Sequence, residues 1–143
     1  MIVFIDTNVW IYAVDEREPE KQIKARNYLA QMDRANTVVL STQVLQEFFY
    51  ATTQSGKGLL SPELAIKHMD KMSQMLVMES TAQSVMAATS LMHVHKISWW
   101  DSLILEAAIR AKADVLASED GQAGRKFGKL IVENPFDVKN IKL

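Results

Sequence analysis

The sequence predicts an α/β protein, a three-layer α/β/α sandwich built on a mainly parallel central sheet. Two observations predict it. Apolar runs rich in β-branched residues, "IVFI" at 2–5, "TVVL" at 37–40 and "DVLAS" at 114–118, read as strands buried on both faces. Helical segments separate them, and strands alternating with helices imply right-handed crossovers that lay helices on both sides of the sheet. The first run stops at a carboxylate, Asp6, at the edge where strands end and where such folds bind ligands.

After that strand, "VWIYAV" at 9–14 reads as a short helix or turn. "PEKQIKARNYLAQM" at 19–32 is a longer helix, with Pro19 in the first turn where proline is tolerated. The strand at 37–40 leads into a helix at 42–54 on which Leu45, Phe48, Phe49 and Thr52 share a face. "SGKGLL" at 55–60 is a loop, and it fails as a phosphate loop because Ala51 and Gly58 replace the required glycine and hydroxyl residue. Ser61 as N-cap and Pro62 at the first helical position open a helix reaching 75, and "LVM" at 76–78 is a third strand. Ser80 and Gln83 form a capping box for a helix near 81–94; Ser98 and Asp101 form another for a helix at 99–113. "KLIV" at 129–132 is the last strand, stopped by Asn134 and Pro135. No repeat or linker interrupts the chain, so residues 1–143 read as one domain.

At 48% hydrophobic content, 143 residues suffice for one core that buries roughly two thirds of the unfolded chain's surface. With no cysteine, neither a disulfide framework nor a thiolate metal site can form, as suits a reducing compartment. The apolar start is too short for a signal peptide, and no stretch approaches the roughly 20 residues that span a bilayer. A cytoplasmic protein with no membrane association is expected.

Four carboxylates recur at comparable places. Asp6 ends the first strand, Glu47 lies in the second turn of the helix after the second strand, Asp101 lies in a first turn, and Asp120 follows "DVLAS". Each alone has an ordinary explanation: an N-cap, a solvated helix residue, half a capping box, and an Asp-Gly turn with Gly121. Nothing in capping or turn chemistry requires all four to fall at one sheet edge. Two carboxylates about 4 Å apart repel by about 4 kcal/mol at an effective dielectric near 20, so gathering four calls for protons or a cation. Oxygen-only ligands select a hard ion, Mg²⁺ or Mn²⁺, and such an ion activates water for phosphodiester hydrolysis.

The net charge of -1 argues against a broad nucleic-acid surface. Setting the four acids aside leaves 16 basic residues against 17 less four acidic ones, a net of +3, which a phosphate backbone tolerates. Arg110, Lys112, Arg125, Lys126 and Lys129 lie in the last segments, near Asp101 and Asp120, and are candidates to track that backbone; Arg110, Arg125 and Lys126 head the list. Six of eight methionines, from Met69 to Met92, crowd one third of the chain, as core fillers or as a surface for a partner or second copy. Of Trp99 and Trp100, one is expected in the core while the other could stack on a base of such a strand, with core or hinge packing the reading favoured for them.

"FIDTN" at 4–8, Glu47 in "LQEFF", "SWWDSLIL" at 98–105 and "LASEDGQAGRKFGKLIVENPF" at 116–136 resemble the PIN domain, in particular the VapC-type toxins of bacterial toxin-antitoxin pairs. The resemblance covers essentially the whole chain. It implies a Mg²⁺- or Mn²⁺-dependent endoribonuclease acting on RNA, usually a homodimer, held inactive by a small antitoxin. It carries Asp6, Glu47, Asp101 and Asp120 over as catalytic and metal-site acids, with Asn8 and Ser118 as polar supports of Asp6 and Asp120. Asp6 and Asp101 are expected to hold the ion most directly, with Glu47 and Asp120 acting through water or on the nucleophile. Glu119 and Asp120 are adjacent, and on an extended segment only one of them faces the site; Asp120 takes the motif's place. The alternatives are a PIN protein that processes or binds RNA without being a toxin, and a phosphatase with Asp6 as nucleophile. The phosphatase pattern needs a carboxylate where Asn8 stands.

Overall fold

A computed structural model describes residues 1–54 and 58–137. The chain runs β1 (Ile2–Ile5), α1 (Thr7–Tyr12), α2 (Pro19–Ala35), β2 (Thr37–Ser41), α3 (Thr42–Thr53), α4 (Pro62–Met72) and β3 (Leu76–Met78). It continues through α5 (Ala82–His95), α6 (Trp99–Arg110), β4 (Val115–Ala117), β5 (Lys126–Phe127) and β6 (Leu130–Glu133). The strands form one sheet in the order β3-β2-β1-β4-β6-β5, parallel except for the β5–β6 pair. The chain therefore lays strands outward from β1 in one direction, then returns to place β4 on β1's other side. Right-handed crossovers put α1 to α4 on one face and α5 and α6 on the other. The packing agrees: α3 contacts α1 and α4, while α5 packs along α6.

The expected α/β sandwich is what forms, because β1 and β2 are apolar on both faces. Val3, Phe4, Ile5, Val39 and Leu40 are fully buried. Register at the lower edge is held by Asp114, whose Oδ2 accepts from the Ile2 amide at 2.8 Å while Lys129 Nζ donates to Oδ1 at 3.2 Å. Burying such apolar strands supplies about 25 cal/mol per Å² removed from water. Among the described residues no helix is long and apolar enough to cross a membrane.

Several boundaries differ from the sequence reading, each for a local reason. Residues 9–12 belong to a true helix, α1, capped by the Asp6 side chain, and Ala13 and Val14 form the turn that ends it. α2 runs on to Ala35 rather than 32. The box that opens α5 is Thr81 with Ser84, not Ser80 with Gln83, because the Ser80 hydroxyl pairs with Thr42 Oγ1 at 3.0 Å. α4 stops at Met72 instead of 75, since the Gln74 and Met75 amides bond three residues back and tighten the turn. α6 stops at Arg110, short of 113, in a Schellman motif: Lys112 takes φ +57°, its amide donates to Ile109 O, and Ala113 N donates to Ala108 O. β4 and β6 are shifted or trimmed by a residue, and β5 is a strand the pattern did not show. Of the loop at 55–60, residues 55–57 lie outside the described residues.

Leu40 lies in β2, between β1 and β3, with no solvent exposure. Leu40→Ala is expected to lower stability by about 3 kcal/mol in urea unfolding, with a loss below about 1 kcal/mol contradicting its place in the core.

Candidate active site

The sheet reverses its direction of growth between β1 and β4, and the crevice above the carboxyl ends of those strands is where the acids gather. Asp6 follows β1 directly, and its amide donates to the Ala117 carbonyl of β4 at 2.9 Å. Its carboxylate is tied down twice: Oδ1 accepts from the Thr7 amide at 2.7 Å and Oδ2 from the Ser118 hydroxyl at 2.8 Å. Ser118 Oγ in turn accepts the Gly121 amide at 3.2 Å, which curls the loop after β4 back over the strand end. Glycine is needed there, because a Cβ at Gly121 would sit 2.8 Å from Val132 Cγ1. The curl carries Asp120 toward the crevice, where its Oδ2 accepts from Asn8 Nδ2 at 3.1 Å.

Glu47 and Asp101 arrive on helices. Gln43, one turn before Glu47 on α3 and buried, donates Nε2 to Glu47 Oε1 at 2.8 Å and reaches the Trp100 carbonyl at 3.5 Å. It thus ties α3 to the start of α6. Asp101 is the third residue of α6, its amide bonded to the Ser98 cap at 3.1 Å, and the positive end of the helix macrodipole favours an anion there. Asp6, Glu47, Asp101 and Asp120 all line one cleft of about 300 Å³. A second cavity of about 220 Å³, on the side of Lys96 and Arg125, shares Asp6, Asp101 and Asp120 with it.

Electrostatics sets this cluster apart. Burial pushes the Asp6 carboxyl up to about 6 against the hydrogen bonds from Ser118 and Thr7, and the negative charges of Glu47 and Asp101 add to the rise. Glu47 is raised too, first by desolvation and then by Asp101, with the Gln43 bond opposing. Thr7 Oγ1 and Asn8 Oδ1, both buried beside the cleft, have no hydrogen-bond partner. Among the described residues no three His, Cys, Asp or Glu side chains stand in position to hold a metal ion as they are. The donor set nevertheless fits one. It is all oxygen, Glu47, Asp101 and Asp120 are exposed, and Mg²⁺ commonly takes one or two carboxylates and fills its shell with water and phosphate.

The remaining candidates divide. Glu119 forms an ion pair with Lys21, whose ammonium also lies over the Tyr12 ring, so of the adjacent pair only Asp120 lines the cleft. Arg125 borders the second cavity, stacked on Phe127 at 4.8 Å and bonded to the His95 carbonyl. Lys126 is exposed and lines neither cavity. Arg110 departs from its expected place beside the substrate: its guanidinium clasps the buried Glu106 at 3.0 Å and the Glu79 carbonyl at 3.0 Å, at the far end of α6 from Asp101. Lys129 is paired with Asp114 at the opposite sheet edge. Sequence reading missed Gln43 and Lys96. A polar residue one turn before Glu47 was the signal available for Gln43, whereas Lys96, at the left-handed C-cap of α5 with φ +53°, lines the cavity with no sequence signal to mark it.

Raised pKa values fix the sign of a pH effect on the metal-free protein. Asp6 holds its proton to about pH 6 when folded but only to its ordinary value near 3.8 when unfolded. Stability contributed by this group is therefore present below pH 4 and lost as pH climbs to 6. In chelator, Asp6→Asn is expected to melt above the wild type at pH 7.5, by on the order of 2 kcal/mol, with no advantage at pH 4. Equal or lower melting at pH 7.5 would show that Asp6 is not under this strain.

The PIN domain profile matches residues 3–127. No curated protein sequence matches the chain. Among solved structures, the VapBC2 complex of Rickettsia felis, bound to a DNA fragment from its promoter, superposes with a TM-score of 0.66 at 24% identity, over 94% of this chain and 98% of that one. VapC20 of Mycobacterium tuberculosis, a sarcin-ricin loop cleaving toxin, gives 0.57 at 15% over 80% and 86%. VapBC-1 of nontypeable Haemophilus influenzae gives 0.58 at 21% over 84% and 87%. With the family profile matching most of the chain and the fold shared with these structures, the chain belongs to the PIN domain family.

Proposed function

We propose that this protein is a divalent-metal-dependent endoribonuclease, using Mg²⁺ or Mn²⁺, and the toxin of a toxin-antitoxin pair. One observation carries the reading: four carboxylates from distant parts of the chain line one cleft at the sheet's switch point, and Asp6 is held there at the expense of its ionisation. Metal sites in which carboxylates stand so close need a cation to offset their repulsion. The PIN membership and the VapC toxins of like fold support hydrolysis of RNA.

In this reading Asp6 and Asp101 would hold the ion, and Glu47 and Asp120 would act through water or orient the attacking one. The ion, when bound, supplies an activated water and screens the phosphodiester's charge. Ser118 and the Thr7 amide fix the Asp6 carboxylate in one orientation, so little reorganisation is needed when charge develops. Gln43 does the same for Glu47. Asn8 holds Asp120 through its amide, while its own Oδ1 is buried without a hydrogen-bond partner. The phosphatase alternative has no carboxylate two residues after Asp6 to serve as acid, and no observation favours it.

The VapBC complexes of like fold support an antitoxin as partner. The methionine-rich region is split between roles: Met72 is buried core, while Met86 on α5 is 67% exposed, as is Val94. That exposed side of α5 suits a partner or the second subunit of a homodimer. A cytoplasmic location belongs to the same reading.

Cleavage of RNA should require Mg²⁺ or Mn²⁺, stop on chelation, and fall more than about 100-fold in Asp6→Asn and in Asp101→Asn. Activity untouched by either substitution would sink the proposal. Because ligation needs an ionised Asp6, the rate should rise from pH 5 to pH 7, and raising the metal concentration should move that limb to lower pH. A limb that ignores metal concentration would separate the titration from the ion.

A further inference from the structure

The acids do not lie at the bottom of one pit. Asp6, Asp101 and Asp120 stand between two cavities of different chemistry. On the Glu47 side the walls carry two large aromatic side chains, Tyr50 from α3 and Trp100 from α6. Both are open to solvent, Tyr50 at 69% and Trp100 at 65% relative exposure, which is unusual for rings of that size when nothing covers them. Tyr50 is three residues after Glu47, so the two side chains stand on one face of α3. Trp100 immediately precedes Asp101, and its carbonyl is held by the same Gln43 that holds Glu47. On the other side the wall carries Lys96, exposed and without an ion-pair partner among the described residues, together with Arg125.

We propose that Trp100 and Tyr50 are the base-stacking, specificity-determining residues of the site: an unpaired base of the RNA stacks beside the acids, while the neighbouring phosphate on the far side lies against Lys96 and Arg125. The inference rests on the RNA-hydrolysing reading and adds the substrate geometry to it. Stacking needs a base with a free face, so a nucleotide within a duplex cannot use the aromatic side. The basic side takes phosphate through charge alone and reads no sequence. Discrimination between RNAs then arises from which nucleotide flanking the cut is free to leave its helix.

The test uses the full-length protein and a mixed-sequence RNA of about ten nucleotides, single-stranded or annealed to its complement. Trp100→Ala and Tyr50→Ala should each raise KM for the single strand about tenfold while kcat falls less than threefold, and Trp100→Phe and Tyr50→Phe should restore most of the loss. Lys96→Ala should weaken binding of all sequences alike and flatten its salt dependence. A readout independent of turnover is tryptophan emission in chelator: the single strand should quench it, the duplex should not, and Trp100→Phe should abolish the quenching. Far-ultraviolet dichroism controls for folding, which substitution of such exposed side chains leaves intact. Cleavage with KM unchanged in both alanine variants overturns the stacking role and leaves the nuclease reading standing. Quenching by the single strand without cleavage in any metal supports the stacking surface and overturns the nuclease reading instead.

Discussion

The pairing of β1 with β4 at the centre of the sheet is the constraint on which the rest depends. Because the chain places β2 and β3 on one side of β1 and returns to lay β4 on the other, helices diverge above those two strand ends and leave a crevice. Asp6 and Ser118 are the residues that follow the paired segments, and the pairing puts the hydroxyl of one within 2.8 Å of the carboxylate of the other. A slip of one residue would exchange the faces of every side chain on the strand and take Asp6 out of the crevice. The apolar register of Val3, Phe4 and Ile5 against Val115, Leu116 and Ala117 therefore sets the geometry of the polar site above it.

Holding the acids together is unfavourable, and the fold tolerates it by fixing each from a different element. The Asp6 carboxylate receives two hydrogen bonds and is still raised, so desolvation and like charges outweigh what Ser118 and Thr7 supply. Removing Asp101 relieves both Asp6 and Glu47, which is why the site and the stability of the metal-free chain pull in opposite directions. Gln43 and Asn8 neutralise nothing. They orient Glu47 and Asp120 with amide donors that leave the negative charge in place for a ligand.

Most of the fold was legible because β1, β2 and the crossover helices are long or strongly patterned enough to read locally. The apolar runs marked the buried strands, and Ser61 and Ser98 marked helix starts where the structure has them. What escaped was decided by tertiary contact. Two residues of β5 carry no period, and they pair only because Gly128, at φ +63°, turns the chain onto β6. Ser80 reads as a cap until Thr42 claims its hydroxyl. At the site, the placement of the four acids at strand and helix ends pointed to their meeting at one sheet edge, but the amides that orient them, Gln43 for Glu47 and Asn8 for Asp120, emerged only from the fold. Arg110 shows the limit most clearly: proximity in sequence to Asp101 says nothing of a buried Glu106 one turn away that takes the guanidinium.

The two ends of β4 offer an internal comparison that bears on function. Asp114 precedes the strand at one edge of the sheet and Asp120 follows it at the other, with Asp6 alongside. Asp114 is answered by the Ile2 amide and the Lys129 ammonium, and its carboxyl is held below the usual range by them. Asp6 is given two donors as well, but burial first, and then neighbours that are carboxylates and not an ammonium, displace its carboxyl the opposite way. Cations are not scarce at that edge. Lys21 is spent on Glu119, the residue beside Asp120, and Arg125 is turned toward Phe127 and the His95 carbonyl. A fold selected only for stability would let one of them neutralise the cleft. That Lys21 and Arg125 are engaged next to it, and that Lys96 lines the adjoining cavity without forming an ion pair with an acid among the described residues, is the feature that capping and turn chemistry do not account for, and that a charged ligand does.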